Sequence, residues 1–534
     1  MPVRRRGPPH RSRKTWNSRD RANPVSESPD QSSPRGLARW LAPSFLALVF
    51  CLNPAAILLN PDMPLRDPGI GWHLITGRLI LESGAPVMQD GFSFTQPGKT
   101  FVGGAWLFQA TAAWLEKMGG LPLLTVACGL WYALVPVILY RRMLAERVPA
   151  PIALGLGGLA FGVLMVHSLN RPHIVSYVLF AALLSSLAAL RRGAPCRWHI
   201  CAHVPLMVIW CNCHRGFVIG LLLAGIFAAA AIGERVLGRT NDGSRARIFA
   251  ALLVGMALAS LINPWGWGLH FSTAEYLKME SIRHWNEYRS PDFLGGGSAV
   301  VAFELMIFAA IAAMAWRARR FDWLEILLVL LFLHWGLQSF RHANLFAIVA
   351  APPIARGLWD LCQRVPGLAQ RCAEMDRWQS LLSGGWPQVI FISVALAVLA
   401  FKGGNLFRRD LDGLWLSRGA AEYIGKNLGR CARPFNTDEL GGSLIYRFWP
   451  RLRVFVDDRS ELYGDEFILG DYFEVRDGRK NWRRVLDRFG VDSAIVNSGS
   501  AQDSLFRSSA EWSEGYRDNQ NVVFFRLARA GVGP

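Results

Sequence analysis

Apolar runs separated by short polar loops make up most of the chain. Each run approaches about 20 residues, the length that an α-helix needs to cross the hydrocarbon core of a bilayer. We count about eleven such runs, which predicts an α-helical polytopic membrane protein. The predicted spans are 37–59, 120–140, 150–169, 173–190, 198–213, 216–236, 247–263, 298–316, 322–338, 342–358 and 386–402.

The loops between these runs differ in their content of basic residues. If the amino terminus lies in the cytoplasm, the basic clusters fall in alternate loops, as the positive-inside rule requires. The clustered residues are Arg141, Arg142, Arg147, Arg191, Arg192, Arg197, Arg235, Arg239, Arg245, Arg247, Arg317, Arg319, Arg320, Arg364, Arg371 and Arg377. An odd number of spans then places residues 403–534 outside. The pattern predicts a multi-pass protein of the inner (plasma) membrane with a cytoplasmic amino terminus.

Composition agrees with this interpretation. Hydrophobic residues make up 51% of the 534 residues, and the net charge is +18. Residues 1–36 are rich in Pro, Ser and Arg and lack apolar periodicity, so we interpret them as a disordered basic cytoplasmic tail. No basic face is concentrated in a folded domain, which argues against nucleic acid as a partner. Residues 37–402 form the predicted transmembrane bundle, with membrane lipids as partners.

The pattern changes in residues 403–534. Apolar runs shorten to strand length at 453–456, 493–496 and 522–525, with a helical stretch at 482–489. Strands alternating with helices predict a small extracytoplasmic α/β domain. Its single cysteine, Cys431, excludes a disulfide framework within this domain.

Two long loops are predicted on the outer side, and the first, 60–119, contains two candidate carboxylates. Asp67 directly follows the first span, where it could act as a general base or bind a divalent cation facing a phosphate. Alternatively, Asp67 caps the helix that begins near Gly71. His73 could transfer protons or bind an anion, or lie in the interfacial aromatic belt. Asp90 precedes a glycine, so it either forms a turn or faces Asp67 as a second carboxylate.

Three pairs of Arg and His stand where predicted spans meet at the outer side. The pairs are Arg171 with His173, Arg215 with His214, and Arg341 with His342. Because Arg binds phosphate bidentately, the pairs favour a phosphate site, with snorkelling towards lipid headgroups as the alternative. The run Cys211-x-Cys213-His214 lacks a second half, which argues against a zinc site.

The second outer loop, 264–297, combines aromatic residues with Glu287, Arg289 and Asp292. Carboxylates beside aromatic rings are typical of sugar-binding clefts, and they also fit an ordinary packed loop. The chain contains no P-loop, dinucleotide fingerprint, serine-hydrolase elbow or HExxH motif, which argues against ATP-driven transport.

The order of several short motifs after residue 36 resembles bacterial membrane glycosyltransferases of the GT-C type. The motifs are Asp67 to Leu74 with Gly77, Gly84-Ala85-Pro86, Asp90 to Phe94, Trp106-Leu107, Arg171-Pro172-His173, Asn263 to Gly266, Arg341 to Asn344 with Pro352, Gly441-Gly442, Val456 to Arg459 and Tyr463-Gly464. The resemblance implies transfer of a sugar from a polyprenyl-phosphate-linked donor to a glycan, lipid or protein acceptor of the cell envelope.

By position, the resemblance implies that Asp67 is the catalytic carboxylate, with Asp90 in reserve. Two positions depart from the family pattern. Gly69 stands where related chains often have a second acid, which argues against a metal held by paired carboxylates, and Asp458 stands where glycine is more usual. No cofactor is required by these motifs, and a divalent cation is left as an open alternative.

Three hypotheses therefore follow from the sequence. The first is a transferase in which Arg171, Arg215 and Arg341 hold the leaving phosphate. In it, Glu287 and Asp292 bind sugar hydroxyls. The second is a flippase or transporter of lipid-linked glycans, for which charged groups near the bilayer midplane and internal repeats are typical. The third is a non-catalytic envelope assembly protein.

Overall fold

The computed structural model describes residues 42–193, 197–239, 243–317, 322–382, 385–403 and 406–527. The predicted basic tail 1–36 and the start of the first predicted span lie outside these residues. The described chain is mainly helical, with one small sheet near its carboxyl end. This confirms the predicted fold class.

Helices α1 to α15 occupy the part of the chain predicted to be the bundle, and every predicted span overlaps one of them. Their bounds are α1 Phe45–Leu59, α2 Ile70–Ser83, α3 Trp106–Tyr132, α4 Leu134–Ala145, α5 Ala150–Leu164, α6 His173–Arg191, α7 Arg197–Cys213, α8 Phe217–Val236, α9 Ser244–Ala259, α10 Trp267–Lys278, α11 Ser298–Trp316, α12 Trp323–Gln338, α13 Ala343–Cys362, α14 Leu368–Leu381 and α15 Gly385–Lys402.

Helix length and apolarity support a multi-pass membrane protein. Within the described ranges, seven helices are long and apolar enough to cross a membrane. One of them, Trp106–Ala145, joins α3 and α4 and contains a kink at Gly119 and Gly120, where the backbone leaves helical geometry. Helices α1 and α12 and the apolar part of α7 are shorter. The number of crossings therefore stays a prediction.

Ion pairs join several of the basic loops at one end of the bundle. Arg191 contacts Glu234 at 2.6 Å and Asp322 at 2.7 Å, which links the ends of α6 and α8 to the start of α12. Glu146, after α4, contacts Arg142 at 3.0 Å and Arg192 at 2.8 Å. The clustering agrees with the charge pattern, because these loops were all predicted on the same side.

The carboxyl-terminal region forms a lobe of helices around a four-stranded sheet. Its helices are α16 Arg418–Lys426, α17 Asp438–Phe448, α18 Ser460–Phe467, α19 Phe473–Arg476, α20 Trp482–Arg488 and α21 Ala501–Arg507. Its strands are β1 Pro434–Asn436, β2 Ser493–Asn497, β3 Trp512–Arg517 and β4 Asn521–Arg526. The strand order is β1-β2-β4-β3, with β1 parallel to β2 and the other pairs antiparallel.

The predicted strands 493–496 and 522–525 and the predicted helix 482–489 are present, whereas the predicted strand 453–456 is wrong. Val454 forms only an isolated bridge to Ser93 of the loop 60–119. The next residues bond to a side chain: Asn436 accepts the Phe455 N–H at 2.8 Å and donates to the Val456 carbonyl at 2.7 Å. The segment is therefore buried like a strand but joins no ladder.

A glycine contact joins the lobe to the bundle, where α17 packs against α2. A Cβ atom on Gly71 would overlap the backbone of Gly442, and one on Gly442 would overlap the Pro68 carbonyl oxygen. The two backbones therefore touch directly, which only glycine permits. This close approach brings the lobe onto the start of α2, beside Asp67.

Candidate functional site

A cavity of about 1230 Å³ lies where the lobe meets the bundle. Its walls come from the loop 60–119, the start of α6, the turn between α7 and α8, α10, the start of α13 and residues 458–461 of the lobe. Eight of the predicted site residues line it: His73, Arg171, His173, His214, Arg215, Arg289, Arg341 and His342. Residues that are far apart in sequence thus meet in one place.

Asp67 is fully buried and does not line the cavity itself, but it lies 3.5 Å from Arg171, which does. Neither carboxylate oxygen accepts a hydrogen bond from any residue that the structure describes. Helix α2 begins after Gly69 without a side-chain cap, so Asp67 does not serve as its cap. Burial raises the pKa of Asp67, even though the positive charge of Arg171 lowers it.

Arg171 is the centre of a cluster of carboxylates. Its Nη1 lies 3.1 Å from Glu287, its Nη2 lies 3.3 Å from Asp458, and its Nε lies 3.5 Å from Asp67. Arg341 also contacts Glu287, at 3.0 Å. Burial disfavours ionisation of Glu287, but the two guanidinium groups outweigh it and hold the pKa of Glu287 at about 2.

Asp458 is a site residue that the sequence analysis noted only as a departure from the family pattern. Its carboxylate lines the cavity, contacts Arg171 and accepts the indole N–H of Trp72 at 2.5 Å. Burial raises the pKa of Asp458 well above its usual value, although Arg171 lowers it. The sequence could not predict these contacts of Asp458, because its partners lie more than 280 residues away.

Two histidines have hydrogen bonds that set which ring nitrogen carries the proton. His214 Nδ1 accepts the Gly216 N–H at 3.1 Å and lies 2.7 Å from the Ser176 hydroxyl. The Trp210 indole donates to the same hydroxyl at 2.7 Å, so that hydroxyl donates to His214. The Nε2 atom of His214 therefore carries the proton. Burial and nearby arginines lower the pKa of His214 to about 3, so the ring is a neutral donor.

His73 is similar, because the Gln109 side-chain amide lies 3.0 Å from its Nδ1. Burial and the nearby Arg171 lower the pKa of His73 well below its usual value. His173 instead points Nε2 at the His167 carbonyl oxygen, 2.9 Å away. The cavity thus combines neutral imidazoles with charged guanidinium groups.

Tyrosines and a second arginine complete the walls. The Arg341 guanidinium lies 5.0 Å from the centre of the Tyr288 ring, and the Tyr288 hydroxyl lies 2.7 Å from that of Tyr276. Arg215 donates to the Ser272 hydroxyl at 3.0 Å and to the Val102 carbonyl. It therefore ties the loop 60–119 to α10 as well as facing the cavity.

Four predicted site residues do not line the cavity itself: Asp67 and Glu287, which contact Arg171, and Asp90 and Asp292, which have other partners. Asp90 is buried in its turn, where it accepts the N–H groups of Phe92 and Ser93, both at 3.1 Å, and pairs with Arg459 at 2.8 Å. These partners saturate Asp90, so it does not face Asp67 as a second carboxylate. Asp292 is exposed and closes its own turn by accepting backbone N–H groups.

The carboxylates of the cluster meet on arginine. Among the residues that the structure describes, no group of three or more His, Cys, Asp and Glu side chains could hold a metal ion. Each acid that contacts Arg171 already has a positive partner, so the observed arrangement does not resemble a prepared cation site.

Comparisons with known proteins identify the class of fold. No protein-family model matches the chain, and no curated protein sequence matches it significantly. Solved structures do match with TM-scores above 0.5, and they include an oligosaccharyltransferase, a glycosyltransferase of the GT-C type. The predicted GT-C-like fold is therefore confirmed.

The archaeal oligosaccharyltransferase AglB from Archaeoglobus fulgidus, in complex with an inhibitory peptide and a dolichol-phosphate, matches with a TM-score of 0.52 at 11% identity. The match covers 85% of this chain and 69% of that one. AglB tethered to an acceptor peptide matches with a TM-score of 0.51 at 12% identity, over 85% and 68% of the two chains. ArnT from Cupriavidus metallidurans bound to undecaprenyl phosphate gives a TM-score of 0.44 at 16% identity, over 92% and 99%.

Proposed function

We propose that the protein is a membrane glycosyltransferase that moves a sugar from a polyprenyl-phosphate-linked donor to an acceptor in the cell envelope, at the outer face of the membrane. The observation that carries the proposal is Asp67: a buried carboxylate whose two oxygens accept no hydrogen bond from the described residues, in ionic contact with Arg171 on the wall of a large cavity that contains several arginines. A carboxylate without donors is prepared to accept a proton, and guanidinium groups are suited to hold a phosphate.

The reaction would be a single displacement at the anomeric carbon of the sugar. Asp67 takes the proton of the acceptor hydroxyl, the hydroxyl oxygen bonds to the anomeric carbon, and the bond from that carbon to the phosphate oxygen breaks. The electron pair leaves with the polyprenyl phosphate. Arg341, Arg215 and the neutral His214 would stabilise that phosphate, because all three residues line the cavity and carry N–H donors.

Two features support a lipid-linked donor. One side of the cavity is apolar, with Phe180, Ile219, Leu222 and Leu345 from α6, α8 and α13, and it suits a prenyl chain. The AglB structure with the same fold was determined with a dolichol-phosphate and a peptide. We extend the lipid phosphate, though not the peptide acceptor, to this chain.

The direct test replaces Asp67 with Asn, which keeps its shape but removes its basicity. Purified protein in lipid nanodiscs would be incubated with polyprenyl-phosphate-linked sugars and cell-envelope fractions, and the released polyprenyl phosphate would be measured. We expect transfer to fall by at least about 100-fold, the usual contribution of a general base. Asp292→Asn is the matched control, because its side chain only closes an exposed turn.

The same preparation separates transfer from transport. Movement of the lipid-linked sugar across proteoliposomes without cleavage of the phosphate–sugar bond would favour a flippase. Full transfer activity in Asp67→Asn would remove Asp67 from the mechanism.

A further inference from the structure

The position of Asp458 is unusual, because it belongs to the carboxyl-terminal lobe yet contacts the proposed reaction centre in the bundle. Its Oδ2 lies 3.3 Å from Arg171 Nη2, and its Oδ1 accepts the Trp72 indole N–H at 2.5 Å. Trp72 lies in α2 and Arg171 precedes α6, so Asp458 holds two separate elements of the bundle.

The chain leaves space for this carboxylate at Gly69. The backbone of Gly69 has φ −83° and ψ −13°, which any residue can adopt, so its conformation does not require glycine. A Cβ atom there would overlap Asp458 Oδ2 and would lie 2.9 Å from Trp72 Nε1. Gly69 therefore lacks a side chain because Asp458 occupies that volume.

The contacts of Arg171 with three carboxylates indicate how Asp458 affects Asp67. The guanidinium donates to Glu287 at 3.1 Å and to Asp458 at 3.3 Å, and its contact with Asp67, at 3.5 Å, is the longest and is not a hydrogen bond. Without Asp458, the released guanidinium would be free to turn towards Asp67, whose carboxylate already lies 3.5 Å from its Nε. A direct pair between Asp67 and Arg171 would occupy the oxygens that must accept a proton.

We propose that Asp458 is a positioning residue of the transfer site, which holds Arg171 away from Asp67 and so keeps both Asp67 oxygens free for the acceptor hydroxyl. The proposal rests on the proposed role of Asp67. If so, the lobe completes the site in the bundle, since it supplies Asp458, the residue that controls the basicity of Asp67. The charged residues that face Asp67 are Arg171, Glu287, Arg341 and Asp458.

The test is an infrared titration of the full-length protein in nanodiscs, which needs no substrate. Subtracting the spectra of Asp67→Asn isolates the carboxylic-acid C=O band of Asp67. Asp458→Asn keeps the shape of Asp458, and its amide oxygen can still accept the Trp72 N–H. We expect this variant to lower the pKa of Asp67 by at least about one unit, because Arg171, released from Asp458, moves closer to Asp67.

Gly69→Ala provides an independent perturbation, because its methyl group would push Asp458 off Arg171 without removing its charge. We expect the same direction of change. Gly91→Ala is the matched control, since a Cβ atom at Gly91 meets nothing within 4 Å. The double variant Gly69→Asp with Asp458→Gly places a carboxylate in the volume that Asp458 occupies, but attaches it to residue 69. We expect this variant to recover the wild-type titration of Asp67.

The outcomes distinguish this inference from the proposed function. An unchanged Asp67 titration in Asp458→Asn would overturn the inference, even if the wild type transfers sugar. A lowered pKa in a protein that transfers no sugar would support the positioning by Asp458 and refute the proposed reaction. If Gly69→Ala and Gly91→Ala titrate alike, the contact between Gly69 and Asp458 has no effect on Asp67, and the inference fails.

Discussion

Replacing Arg459 with Met tests whether Asp90 has a structural role. Arg459 is 2% exposed and contacts Asp457 at 2.7 and 2.6 Å and Asp90 at 2.8 Å. The guanidinium also lies 5.1 Å from the centre of the Phe92 ring. Its loss would leave two buried carboxylates without their positive partner, which costs about 3–5 kcal/mol. That corresponds to a decrease of about 150-fold to 5,000-fold in the ratio of folded to unfolded lobe.

Pulse proteolysis of the purified protein at increasing urea would measure this loss. The matched control is Arg418→Met, because Arg418 contacts Asp410 at 2.7 Å but its side chain is 70% exposed, and exposed pairs contribute about 0–1 kcal/mol. A cost below about 1 kcal/mol for Arg459→Met would refute the reasoning.

Asp90→Asn should likewise reduce stability, while the folded protein keeps its transfer rate. Loss of transfer at full stability would restore the catalytic interpretation of Asp90.

Three further predictions concern the site and its support. Ser176→Ala should reduce transfer about 5-fold, because the lost hydrogen bond, worth about 1 kcal/mol, orients His214. The Trp210 N–H would also lose its partner. Ser185→Ala on the same helix, assayed in parallel, should have no effect. Gly442→Ala should cost about 1–3 kcal/mol in thermal unfolding, because the added methyl group overlaps the Pro68 carbonyl, and an unshifted melting curve would contradict the contact. The transfer rate should fall as pH decreases through a value above about 3.9, the ordinary pKa of Asp, because burial raises the pKa of Asp67 and only the ionised form accepts a proton. A rate that stays constant down to that value would exclude Asp67 as the base.

Part of the site could be predicted from local sequence. Arg171, His214, Arg215 and Arg341 stand next to predicted helix ends, and residues at the same ends of neighbouring spans lie at the same membrane level. The cavity contains all four. The same reasoning gives no information on Asp90, because a turn and a second site carboxylate have the same local sequence. The Arg459 contact that distinguishes them comes from a residue 369 positions away.

In the lobe, too, the apolar pattern predicts some elements correctly and others not. Val454 to Val456 have the apolar pattern of a strand, yet the backbone of Phe455 bonds to the Asn436 side chain instead of a neighbouring strand. β1 and β3 were missed, since β1 has only three residues and β3 alternates weakly. Whether an apolar segment joins a sheet depends on the partner beside it, which pattern alone does not specify.

The sequence by itself determined the helical membrane class, the approximate spans and the end of the bundle at which the arginines and histidines of the cavity gather. These follow from the length and apolarity of each segment and from the side to which the basic loops are assigned, which are local properties. Only the tertiary structure decided that Asp67 accepts no hydrogen bond from the described part of the chain, that Arg171 joins three acids and that Asp458 of the lobe is one of them. Those features depend on the direct contact of Gly71 with Gly442 and on the volume left free at Gly69, and both arise only when distant backbones meet.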